Sequence, residues 1–372
     1  MSIDPRNLVR LRVNGADYGG WTSVEIAAGI ERVARDFRVT VTDRWPGAGV
    51  LVQRIKPFDR CEVWIGNDKV LTGSVDAIPV NYDDQQVSVS IAGRSITADL
   101  VDCAAINEPG QWRGLRLEAI AKALAGEYGI KVVTEADTGA AIAEHQIQQG
   151  ETAFESLDRL LKLRQVLATD DAEGRLVLTV PSKTRAVDAL ELGKNVLKAE
   201  AGFDFKDVFS QYRVKGQRAG TDEAFGGACS AIADEMDANI PRRRVMMVRQ
   251  QGQSDGGSCG RRATYERARR LTKALESTYT VQGWRQSNGE LWLPNRIVRV
   301  RDTMLRLDRD MLIAEVTYRL DDAGTTCALR VGPPAGYEAE PPEVAAEKKR
   351  KAAGADVSGV DEWRKYWPGD QK

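Results

Sequence analysis

Apolar and polar side chains alternate through most of the first hundred residues, the period of strands that bury one face. In LVRLRV (8–13) Val9, Leu11 and Val13 share a side, Asn14-Gly15 supplies the left-handed conformers of a tight hairpin, and the chain returns through Trp21, Val24 and Ile26. The pattern repeats at Phe37, Val39 and Val41, at Cys61, Val63 and Ile65, and in VLTGSVDAI (70–78) and QQVSVSIAG (85–93), with turn residues between. About six short strands so punctuated predict a small antiparallel barrel or sandwich, whose closure removes exposed edges.

The period lengthens at Leu117. Ile120, Ala121, Leu124, Ala125 and Tyr128 fall at helical spacing, and Gly129 is placed to end the helix in a left-handed cap. After a strand in IKVV, Thr152 and Glu155 form a capping-box pattern ahead of the stripe Phe154, Leu157 and Leu161. QVLATDDAEGRLVLTV reads as a hairpin turning at 170–174. Strands resume in FSQYRVKGQ, break at a Gly/Ala/Asp-rich stretch (219–240) and continue in RRRVMMVRQQG. A glycine-rich stretch (252–260) then feeds one helix carrying Ala268, Leu271, Leu275 and Tyr279. With few large apolar residues, 219–240 and 252–260 are expected to be poorly ordered in the isolated subunit. A second β-rich block runs from LWLPNRIVRVRD through MLIAEVTYRL to CALRVG.

Composition narrows the function. The 372 residues exceed what one core usually supports, and 42% hydrophobic with 29% charged residues is ordinary for soluble globular chains. No apolar run is long enough to span a bilayer and MSIDPRNLVR is no secretory signal, so the chain is expected to be made in the cytoplasm. Five scattered cysteines without a C-x-x-C pair argue against a disulfide framework or a zinc site. A net charge of -1 gives the whole molecule no attraction for nucleic acid.

Motifs for catalysis are scarce. The single histidine, His145, lies in a Gln/Ala/Glu-rich stretch and reads as a surface residue. Asp170, Asp171 and Glu173 lack the ligand spacing of a calcium loop and are explained by a turn. GQSDGGSCGRR (252–262) has neither a G-K-[ST] ending nor a G-x-G-x-x-G register. No catalytic residue, metal or cofactor is assigned. Between Pro241 and Ala274 ten basic residues, among them Arg242, Arg243 and Arg244, face two acids. The excess could meet phosphate, but it lacks the interleaved aromatics of a single-strand platform and reads as a solvated face or a subunit contact.

The stretch GWRQSNGELWLPNRIVRVRDTMLRLDRDMLIAEVTYRLDDAGTTCALRV (283–331) resembles the C-terminal signature of the Mu-like contractile phage tail, or baseplate hub, proteins. SIAGRSITADLVDCA (90–104) resembles the end of that family's first barrel, and GLRLEAIAKALAGEYGIKV and GETAFESLDRLLKLR follow in the family's order, so that the likeness runs from about residue 5 to 335. The resemblance implies a mainly β, α+β fold of two related small antiparallel β-barrels with α+β inserts. It also implies a homotrimeric ring that joins the sixfold tail tube on one face to a trimeric central spike on the other. After Pro57 and again after Pro294 the sequence repeats two strands and reaches an Asp-Asp turn, at Asp83-Asp84 and Asp321-Asp322.

The expected organisation is a first barrel at 1–103, an α+β domain at 104–185, the start of the second barrel with a flexible segment at 186–240, a strand-loop-helix insert of the α+β part at 241–285, the rest of the second barrel at 286–335, and a flexible tail at 336–372. Within the tail, Asp361 can cap a short turn placing Trp363, Tyr366 and Trp367 on one face before Pro368, a candidate anchor for a baseplate partner. The expected role is therefore a structural hub subunit of the virion tail baseplate, acting in tail assembly and genome ejection, with the spike, tube and other baseplate proteins as partners. The alternatives are a cell-wall hydrolase, which needs a catalytic motif, and a nucleic-acid module using residues 242–273, whose binding would weaken steeply with salt.

Overall fold

The computed structural model describes residues 5–42, 55–82, 87–217 and 230–341. Its first block contains β1 (Val9–Val13), β2 (Ala16–Tyr18), β3 (Ser23–Gly29), β4 (Asp36–Thr42), β5 (Arg60–Ile65), β6 (Asp68–Ala77), β7 (Val80–Tyr82) and β8 (Val87–Ser95). All pair antiparallel in the order β3-β4-β8-β6-β5-β1-β2, with β7 continuing β6 along β8. Asn14 and Gly15, at φ 51° and 81°, make the β1–β2 turn by adopting the left-handed conformation that the two-residue hairpin needs. Val9, Leu11 and Val13 are buried on one side of β1. On the other side Arg10 and Arg12 lie 5.9 and 5.7 Å from the Trp64 ring.

The chain then builds a small α+β module from α1 (Ala98–Asp102), β9 (Gln111–Leu115), α2 (Leu117–Gly126), β10 (Val132–Thr134), β11 (Ile142–Gln146), α3 (Ala153–Arg164), β12 (Leu167–Asp170) and β13 (Leu176–Thr179). The expected capping box starts α3: Thr152 Oγ1 accepts from the Glu155 amide at 3.1 Å and Glu155 Oε2 from the Thr152 amide at 2.8 Å. Gly129 takes the left-handed conformation just past α2. Leu117, Ile120 and Leu124 of α2 pack with Leu157, Leu160 and Leu161 of α3 in a core separate from that of the strands. The 170–174 turn falls between β12 and β13 as read.

The second block holds β14 (Leu190–Glu191) and β15 (Val196–Ala201), then, after an insert, β19 (Ser277–Gln282), β20 (Ile297–Asp302), β21 (Leu307–Asp321) and β22 (Gly324–Gly332). The insert contributes β16 (Gln211–Gln217), β17 (Ser230–Met236), β18 (Val245–Gln253) and helix α4 (Gly256–Leu275). Strand order in the second block is β15-β19-β22-β21-β20-β14. It repeats the first block's β3-β4-β8-β6-β5-β1 in the same chain order, with one difference: β14 runs parallel to β20, whereas β1 runs antiparallel to β5. One irregularity also recurs: the bulge between Val75 and Ala77 of β6 has its counterpart between Ile313 and Glu315 of β21.

The two related antiparallel β blocks expected from the sequence are present, and their described strands run on as one continuous sheet. β21 is fifteen residues long; its first half pairs with β20, while beyond the bulge residues 315–320 offer the same edge to β3. The blocks are thereby fused, their inward faces share one core, and no pairing among the described strands joins the path's two ends, β15 and β2.

Other expectations are corrected. β16 and β17, read as the start of the second barrel, join β18 in a sheet of their own, because β16 pairs with both. Residues 230–236 form strand β17, and the glycines from Gly256 onward lie in α4, started by a capping box between Asp255 and Ser258. Tyr279 belongs to β19, fully buried with its hydroxyl 3.2 Å from Asp302. The tail is not free from 336: Gly336 lies against Thr272, where a Cβ would collide, and buried Tyr337 donates to Glu276 at 2.8 Å.

Candidate assembly interface

The basic stretch is largely spent inside the molecule. One face of α4 buries Cys259 and Ala263 against Val214, and its flanks carry the arginines. Arg262 pairs with Glu266 at 2.8 Å and with Glu340, Arg267 with Glu235 at 2.9 Å, Arg269 with Glu31 at 2.6 Å, and Arg270 with Glu266 at 3.2 Å. Glu31, in the β3–β4 link, also meets Arg330 at 3.0 Å, and Arg330 reaches Glu276 and Glu315. Burial pushes the Glu31 carboxyl up, but Arg269, Lys273 and Arg330 together hold it below the ordinary value. The excess charge thus ties α4 to the first β block through Glu31, which it shares with Arg330 of the second, and this removes the main basis for a nucleic-acid module on 242–273.

The reverse face of the β17-β16-β18 sheet is open. Ile232, Met236, Val245 and Met247 are 52%, 62%, 40% and 59% exposed on the two outer strands. Between them, Arg213 of β16 makes a bidentate pair with Asp234, at 2.8 and 2.9 Å. Methionine and branched aliphatic side chains around a fixed ion pair form an adaptable surface suited to a protein partner. Sequence reading missed this face because apolar residues occupy both sides of β17 and β18, which conceals the alternation.

Chemical centres are sparse. His145, expected at the surface, is buried; it points inward from β11, stacks on Trp112 at 5.8 Å and has Nε2 2.9 Å from Ser156 Oγ. Burial, then the nearby Arg159, lowers its pKa to about 4, so the ring is neutral at physiological pH. Ser156 is fully buried, and Glu151 binds Arg159 and the Gln148 amide, an arrangement that locks β11 to α3. Asp170, from the acidic cluster, is buried and bound by Arg35, which donates to it from its backbone amide at 3.0 Å and from Nε at 3.2 Å. Among the described residues no group of three or more His, Cys, Asp or Glu is placed to hold a metal ion.

Three family models match in succession: the N-terminal domain of Mu phage baseplate assembly protein GpP-like at residues 8–95, the second domain of baseplate hub protein gp44-like at 97–180, and the fourth domain of Mu phage baseplate assembly protein GpP at 257–340. The baseplate hub protein gp44 of Escherichia phage Mu is 32% identical over 365 residues, 95% of this chain and 94% of the relative. The chain belongs to the Mu-type baseplate hub protein family. The crystal structure of the 43 kDa tail protein of prophage MuSo2 from Shewanella oneidensis matches with a TM-score of 0.81 at 34% identity, covering 89% of this chain and 99% of that one. A tail protein from Neisseria meningitidis MC58 shares the fold, with a TM-score of 0.75 at 21% identity over 90% and 99% of the two chains.

The protein is thus a structural component of a phage-type tail baseplate hub, and its candidate contacts are judged as hub surfaces. Arg242 and Arg243 are exposed in the loop 237–244, at one end of the open sheet face. Arg244 instead turns inward, donating to the carbonyls of Phe205 and Lys206 with its guanidinium 4.9 Å from the Phe209 ring. Trp363, Tyr366 and Trp367 lie outside the described residues. No described helix is long and apolar enough to cross a membrane.

Proposed function

We propose that three copies of this hub protein form a ring on the tail axis, which receives the sixfold tail tube on one face and a trimeric central spike on the other. The observation that carries this reading is the repeated pairing order: each chain holds two β blocks of the same strand order, so three chains present six near-equivalent units. A sixfold partner then meets six similar surfaces, and a threefold partner meets three copies of whatever differs between the blocks. The open face of β16–β18, with Arg242 and Arg243 at its end, belongs to the differing part and is a fitting contact for the spike or another baseplate protein. The C-terminal aromatic cluster Trp363, Tyr366 and Trp367 serves as a second, tethered contact. The hub works without catalysis or cofactor, is assembled in the bacterial host cytoplasm, and acts in tail assembly and genome ejection. Tails produced without this chain test the proposal. They are expected to lack both the spike and an attached tube; complete tails would overturn it.

A further inference from the structure

The repeat of the two blocks also assigns a partner to the two open edges of the sheet. Aligning the bulges of β6 and β21 maps Val75 on Ile313, and the same offset maps Val80 on Tyr318 and Tyr82 on Leu320. The pairing along β8 and β22 agrees without adjustment, since Val80 pairs with Val89, Tyr318 with Cys327, and Val89 maps on Cys327. β3 maps on β15 through its neighbours: Ile26 pairs with Phe37, which pairs with Gly93, while Ala201 pairs with Ser277, which pairs with Val331.

Within one chain the mapped edges are joined on one side only. Residues Leu320, Arg319 and Tyr318 of β21 pair antiparallel with Val24, Glu25 and Ile26 of β3. Their counterparts, Tyr82, Asn81 and Val80 on β7 and Ala199, Glu200 and Ala201 on β15, pair with no described strand on that edge. The side chains show the consequence: Tyr318 is 3% exposed, whereas Val80 and Tyr82 are 42% and 80% exposed. Exposed apolar residues on an unpaired strand are a template for pairing with another chain.

We infer that β7 of one hub protein pairs antiparallel with β15 of the next copy, in the register Val80 to Ala201, Asn81 to Glu200 and Tyr82 to Ala199. The intramolecular β3–β21 junction is thereby repeated between chains, and Val80 and Tyr82 are covered as Tyr318 and Leu320 are within the chain. This deepens the ring proposal and rests on it, because a monomer has no neighbour to supply the edge. The occupant is a second copy of this chain: among the described strands of the repeat, the one that matches the β7 edge is the one that β3 represents inside the molecule, and β15 is its equivalent.

The test uses the full chain, alone and with its spike, carrying Asn81→Cys and Glu200→Cys, under mild oxidation. Both positions are exposed, so the fold is unaffected. A disulfide between chains is expected, closing into covalent trimers, with at least about tenfold less product from each single variant and from the out-of-register pair Asn81→Cys with Lys198→Cys. Amide exchange in the unsubstituted protein gives a second reading: residues 80–82 and 199–201 should exchange more slowly in the assembled ring than in the dissociated chain. Assembly without the cross-link and without slowed exchange would overturn the edge pairing and leave the ring proposal standing. A chain that stays monomeric alone and with its spike would overturn both.

Discussion

The two β blocks share a pairing order but fill it differently. In the first, Phe37 of β4 pairs with Gly93 of β8, and a Cβ on Gly93 would come within 2.8 Å of the Phe37 ring. In the second, the mapped pair is Ser277 and Val331, both buried. The large side chain has moved across the strand pair, so the space is conserved while the residues are not. The links differ more. Residues 30–35 suffice to join β3 to β4, whereas the mapped interval between β15 and β19 holds the sheet β17-β16-β18 and α4. A repeat can thus keep its strand pairing, which would fix how units meet in the proposed ring, while one copy takes on an insert that would make each chain's halves distinguishable to the proposed threefold partner.

The fastening of each addition reflects the same difference. The α+β module is held to the first block by Arg35, whose guanidinium reaches Asp170 and the carbonyl of Val70. The Asp170 side chain is fully buried and Arg35 is 13% exposed. The insert of the second block is held by Glu31, Arg269, Lys273, Glu276 and Arg330, a network with partial access to water.

The comparison predicts a graded series of losses. Gly93→Val, which gives the first block the second block's residue, is expected to cost at least about 3 kcal/mol, because the new Cβ also overlaps the Ser74 carbonyl oxygen. Since that obstacle is backbone, adding Phe37→Ser should not restore stability. Thermal unfolding of the single and double variants decides this, and full recovery in the double would break the backbone explanation.

Arg35→Leu leaves Asp170 buried without its partner and is expected to cost about 3 kcal/mol. Protease sensitivity should rise first at the links to the α+β module; a variant as stable as the parent would show the pair to be dispensable. Glu31→Gln should cost less, about 1 kcal/mol, and less still in high salt. Glu31 is held below its ordinary pKa, so its stabilisation is fully present above the ordinary carboxylate range and is lost as pH falls through its lowered folded value. Acid unfolding curves of the parent and Glu31→Gln should therefore converge at low pH, and curves that stay parallel would contradict the assignment.

Much of this architecture was legible in sequence where one face of a regular element is buried. Period-two alternation located β1, β4, β5, β6 and β8, and the Thr152–Glu155 pattern located the start of α3. Tyr279 was misplaced because it stands four residues after Leu275, the spacing of one more helical turn, although β19 begins at Ser277 directly after α4. Gly256, Gly257 and Gly260 suggested a loop, since glycine weakens helices; the Asp255–Ser258 box supplies a start signal outside the usual Ser/Thr to Glu pattern. His145 was read as exposed from its polar neighbours, yet strand alternation turns it inward while Glu144 and Gln146 face out. The candidate assembly surfaces were the least legible. The bond from Arg330 to Glu31 spans 299 positions, and the neutralised basic stretch and the open edges at β7 and β15 exist only once distant strands are paired.

The central claim is that two like blocks per chain build a ring of three chains. Native mass measurement of the purified full chain, alone and with its spike, tests it most directly. The account predicts a species of three times the chain mass, formed alone or on addition of the spike and binding three spike chains. A protein that remains at one chain mass under both conditions would contradict it.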